Sequence, residues 1–66
     1  MHKFHLGQRV EYRPPRGMHA PRGAYIVTAK LRKREGEFEY RIRHMIEEHE
    51  RMAREGQLQA LPEEKK

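Results

Sequence analysis

"MIEEHERMAREGQL", Met45 to Leu58, is the stretch whose reading decides the fold. Read as a helix, it sets Glu47 four residues ahead of Arg51 and Glu50 four ahead of Arg54. Acid before base is the better order for such pairs. Acids come early and bases late, in line with the helix dipole, and Gly56 would end the helix. Ile46, His49 and Met52-Ala53 would then form a thin inner stripe. Read as a strand, the same residues make a charged loop through Glu47-Glu48 and a short strand around His49–Arg54. A single turn then brings Leu58 into a core. The local pattern by itself favours the helix.

The preceding segments read as strands. In "EFEYRIR", Glu37 to Arg43, the apolar Phe38, Tyr40 and Ile42 alternate with charged residues, the period-two signature of a half-buried strand. In "AYIVTAKLRK", from Ala24, Tyr25, Val27, Ala29 and Leu31 would share the buried face. Gly36 marks a turn between them. If Glu35-Gly36 is a two-residue turn, Leu31 faces Tyr40 and Ala29 faces Ile42. Arg34 then faces Glu37 and Arg32 faces Glu39, while Lys30 meets Arg41, a like-charge conflict. A longer loop would shift this register.

Towards the N-terminus, "LGQRVEYR" alternates again, with Leu6, Gln8, Val10 and Tyr12 on one face. Pro14-Pro15 ends that strand, since proline offers no ladder donor. The loop "RPPRGMHAPRG", Arg13 to Gly23, contains Pro-Arg-Gly twice. Each copy fits a turn with proline at the first central position and glycine last. Turn formation leaves Arg16 and Arg22 unexplained.

Sixty-six residues hold one small domain, assigned to 1–58, with a disordered charged tail at 59–66. No cysteine is present, which removes disulfides and thiolate zinc sites and fits a reducing compartment. No apolar run is long enough for a membrane, and the opening residues lack the features of a signal peptide. A cytoplasmic chain is expected. Net charge is +5, unevenly spread. Residues 1–34 carry nine Lys/Arg and one Glu; residues 35–66 carry six and nine. A basic side favours nucleic acid or another polyanion, and interspersed charge also keeps a small domain soluble.

Four features together carry a resemblance: "F-x-x-G-x-x-V" at Phe4, Gly7 and Val10; "APRGAYIV" at 20–27; "YRIR" at 40–43; and "E-x-H-E-R-x-A-x-E-x-x-L" from Glu47 to Leu58. The chain resembles a group of short, largely uncharacterised bacterial proteins. The resemblance implies a small SH3-like barrel, with the "HER" stretch as a strand, and no enzyme activity. Met52-Ala53 departs from the β-branched residues usual there. The fold expected on this basis is mostly β, a small SH3-like barrel or a strongly bent antiparallel sheet. The alternative is a three-stranded antiparallel sheet with a helix around 46–55.

Five histidines show no matched ligand set, so they read as ordinary surface or hairpin-end residues, and no metal or cofactor is expected. Ser, Cys and Asp are absent, which leaves no ordinary nucleophile. Glu47 with His49 is the one acid–base alternative, and no pocket is expected around it. The function this supports is a non-enzymatic binding module. Its basic candidates for nucleic acid or another polyanion are Arg13, Arg16, Arg22, Arg32, Lys33 and Arg34. All three tyrosines sit at core-facing parity, so binding would be driven by phosphate, weak and salt-sensitive. The alternative is a protein-interaction module with Met18 at the loop tip as contact anchor. A monomer or weak homodimer is expected.

Overall fold

The computed structural model describes residues 1–62, so the part of the expected tail at 63–66 lies outside the described residues. Five strands follow one another: β1 (Arg9–Tyr12), β2 (Ala24–Arg34), β3 (Glu37–His44), β4 (Glu50–Arg54) and β5 (Leu58–Ala60). A single 3-10 turn, Glu55–Gln57, joins the last two. All neighbours are antiparallel, and the sheet order is β4-β3-β2-β1-β5. The 45–58 stretch is therefore a charged turn, a strand and a 3-10 turn. Among the described residues, no helix is long and apolar enough to cross a membrane.

The central hairpin turns at Glu35-Gly36, both with positive φ (52° and 82°). Two left-handed residues are what a tight type I′ turn requires, and glutamate adopts that conformation poorly. Glu35→Asn is accordingly expected to stabilise the protein by roughly 1 kcal/mol. The urea midpoint should rise with an unchanged slope.

Arg34 faces Glu37, as the two-residue turn predicts. Beyond that pair the register departs from expectation. Shifts between Leu31 and Lys33, and between Val27 and Ala29, put Leu31 opposite Glu39 and Ala29 opposite Arg41. Val27 takes the place opposite Ile42, and Arg32 has no partner residue on β3. Each bulge inserts one extra residue and reverses which side chains face inward. Ala29 and Leu31 therefore end half-buried, while Tyr25 and Val27 are fully buried. The shifts also remove the like-charge conflict, because Lys30 now faces Tyr40.

One face of this single sheet supplies nearly the whole core: Val10 and Tyr12, Tyr25 and Val27, Tyr40 and Ile42, Ala53, and Leu58. A lone sheet can enclose a core only by bending round it, and bulges increase local twist and bend. The sheet stays open, with β4 and β5 as its edges. β5 runs to Ala60, so Gln59 and Ala60, assigned by sequence to the tail, pair with Glu11 and Val10.

The core's remaining member is Phe4, which lies outside any strand. Leu6, whose parity matched Val10 and Tyr12, is 57% exposed. Gly7 (φ 82°) and a turn from Gln8 N–H to the His5 carbonyl (3.1 Å) break the alternation before β1 begins. Phe4 is held by the Tyr40 hydroxyl, which accepts from the Lys3 (2.9 Å) and Phe4 (3.2 Å) amides and donates to the Glu55 carboxylate. Burial and the neighbouring carboxylate raise the Tyr40 hydroxyl above its ordinary value. That hydroxyl's hydrogen bond is the main cause that holds Glu55 below the usual carboxylate range.

A depressed folded value means that Glu55 contributes stability at neutral pH. The contribution fades as pH falls from about 4.5 through the lower folded value. Tyr40→Phe should therefore flatten the acid limb of stability against pH. An unchanged acid limb in thermal unfolding would count against this pairing.

Candidate nucleic-acid interface

The Arg13–Gly23 loop begins by prolonging β1, as the Arg13 amide donates to the Gln57 carbonyl at 2.9 Å. Its first Pro-Arg-Gly is a turn, closed by Met18 N–H to the Pro15 carbonyl at 3.0 Å. Pro15 thus opens the turn instead of occupying its first central position. Arg16 holds that position, and Gly17 (φ 88°) supplies the positive φ that follows it. The sequence reading was off by one residue, because the prolines end the strand before the turn starts.

The second copy makes no such turn. The Pro21 carbonyl accepts the Tyr25 hydroxyl at 2.8 Å, and the Arg22 carbonyl accepts His44 Nε2 at 2.7 Å. Since a carbonyl only accepts, Nε2 carries the hydrogen. Nδ1 is left to accept the Ile46 amide at 3.2 Å. Gly23 (φ 118°) passes so close that a β-carbon there would stand 3.2 Å from His44 Nε2. His44 is only 6% exposed and organises this end of the loop. Sequence reading placed it at a hairpin end and missed its burial; its inward parity with Tyr40 and Ile42 was the available signal.

All six basic candidates are exposed. Arg13, which also donates to Gln59 Oε1 at 3.2 Å, and Arg22 border a depression of about 420 Å³ with His19, Glu11 and Met18. Arg34 borders a second depression, about 290 Å³, with Met18, Met52, Arg54 and Glu39. Met18 is common to both and links the loop to the end of the hairpin. Arg16 and Arg32 border neither depression, and the Lys33 ammonium sits 5.3 Å from the Phe38 ring centre. Arg13 and Arg22 thus share one depression and Arg34 borders the other, with Tyr12 and Met18 lining both, while Arg16 borders neither.

Among the described residues, none of the six forms an ion pair with a carboxylate. The acids serve other partners: Glu50 meets Arg41 at 3.8 Å, Glu35 meets Arg54 at 3.3 Å, and Glu47 meets Arg51 at 3.5 Å. His49 also lies 3.5 Å from that Glu47 oxygen. The structure therefore brings the acid–base alternative together, but Arg51 shares its carboxylate, and neither depression includes the pair. The Tyr25 hydroxyl is raised mainly by burial. Among the described residues, no three potential metal ligands are grouped.

None of the five aromatic side chains is exposed. Phe4, Tyr12, Tyr25 and Tyr40 are buried, and half-buried Phe38 lies under the His2 ring at 4.2 Å between centroids. The surface therefore offers cations without an exposed tyrosine or phenylalanine on which a base could stack, and its exposed rings are His5, His19 and His49. The chain matches no protein-family model, no curated protein and no solved structure.

Proposed function

We propose that the protein is a non-enzymatic binding module that holds nucleic acid or another polyanion through its phosphates. Arg13, Arg16, Arg22, Arg32, Lys33 and Arg34 make the contacts. The observation that carries this reading is the division of charge. Six exposed cations make no described ion pair, though Arg34 faces Glu37 across the hairpin, while the paired acids are engaged by other arginines. Because its contacts are to phosphate, the module discriminates little between sequences, and counterion release supplies its affinity. A cytoplasmic location fits the absence of cysteine.

The test is a titration with short DNA and RNA at low salt, followed by backbone amide shifts. Changes should concentrate in residues 13–23 and 30–37 and disappear as salt rises. Unchanged shifts in both segments would sink the proposal.

One observation favours a second reading, recognition of a protein. Met18 is half exposed, borders both depressions, and accepts the Tyr12 hydroxyl at its sulfur (3.7 Å). A stoichiometric partner retained after nuclease treatment, and lost on Met18→Asp, would support it.

A further inference from the structure

The two edges of the sheet are not equivalent. β5 has three residues, and Pro62 follows closely. β4 has five, with no proline, lysine or bulge, and its guard against edge pairing is limited to the charges of Glu50, Arg51 and Arg54. Its backbone direction follows from two hydrogen bonds. The Met45 amide reaches the Ala24 carbonyl on the β2 side (3.1 Å), so by alternation Ile42 and Tyr40 face β4. Their partners Arg51 and Ala53 face back towards β3. The Arg54 amide, which donates to Gln57 Oε1 at 2.9 Å and not to β3, gives the same phase. Glu50 and Met52 therefore turn their amide and carbonyl groups outward. Among the described residues, no strand pairs with them.

The geometry points to antiparallel pairing of β4 with β4 of a second copy of this chain, about a twofold axis at Met52. Glu50-Arg51-Met52-Ala53-Arg54 is complementary to itself in that register. Glu50 of each copy faces Arg54 of the other, Arg51 faces Ala53, and the methionines meet at the axis. Such an interface is closed and uses the same patch twice. The present contacts of Glu50 with Arg41 and of Arg54 with Glu35 are exposed and contribute little, so they yield readily. The added strand runs beside the depression where Met18 and Met52, 50% and 56% exposed, stand together with Pro15 and Tyr12. It therefore covers two thioether side chains as well as the unpaired edge. The result is one sheet continuous through both copies.

The test is mass in solution against concentration, by sedimentation or light scattering, for the full chain. Wild type is expected to shift from monomer to dimer between micromolar and millimolar concentration. Glu50→Arg alone and Arg54→Glu alone each set like charges opposite one another twice, and each should remain monomeric. An equimolar mixture of the two variants restores both pairs and should dimerise, as should the double variant E50R/R54E. Wild type that stays monomeric throughout, single variants that dimerise like wild type, or a mixture or double variant that does not would each overturn the proposal.

Discussion

Phe4→Ala is expected to lose about 3–5 kcal/mol, the usual result of emptying a buried aromatic site. A chain of this length has roughly 3–10 kcal/mol of stability in all, so the variant forfeits about a third of it or more. The same loss weighs more here than in a larger protein, because the total is small and Phe4 covers the Tyr40 end of a single bent sheet. Its departure also loosens the amides of Lys3 and Phe4 from the Tyr40 hydroxyl. Leu6→Ala is the matched control. Leu6 has the better alternation with β1 but is exposed, and its loss should stay within about 0.5 kcal/mol. Chemical denaturation of the pair decides the matter. Equal losses would place the N-terminal segment elsewhere.

The second large effect concerns the proposed interface. Six phosphate contacts on duplex DNA give a slope of about −5 for log K against log salt. Affinity should then fall about a thousandfold between about 50 and about 200 mM salt. Reversing Arg32, Lys33 and Arg34 together to glutamate leaves three contacts, which brings the slope to about −3. Affinity at low salt should drop by about a hundredfold. Arg41→Gln is the control, because Arg41 already faces Glu50 and should leave the slope unchanged. Equal effects from the two substitutions would show a response to net charge and not to this surface. Single strands of matched charge should follow a similar pattern with a shallower slope, since no exposed tyrosine or phenylalanine rewards an unstacked base.

The parts of this fold that were legible in sequence are those set by local alternation. Phe38, Tyr40 and Ile42 announced β3, and Gly36 announced the hairpin. The register was not legible, because bulges respond to which side chains meet across the ladder and leave no periodic trace. The 45–58 stretch is more instructive. Glu47 and Arg51 suggested a helix by their spacing, and they do meet, at 3.5 Å, where the chain turns from β3 into β4. The pair was real, but a tight turn satisfied it. Glu50 and Arg54 instead take partners from β3 and the hairpin turn. At the candidate site, exposure of the arginines followed from composition. Which cations the acids leave free depends on distances across strands. The doubled Pro-Arg-Gly showed no sign that one copy makes a turn while the other rests on a buried histidine.

The pairing of β1 with β5 has a kinetic consequence. Val10 meets Ala60 across almost the entire described chain, whereas the β2–β3 hairpin closes over two residues. Closing the longer loop is slow, because its entropy must be given up before the contacts form. The hairpin and β4 should therefore assemble first, with β1 and β5 joining last. On a ribosome, Val10 and Tyr12 emerge early but lack their final cover until Leu58 has been made, so completion of the fold waits for the last strand.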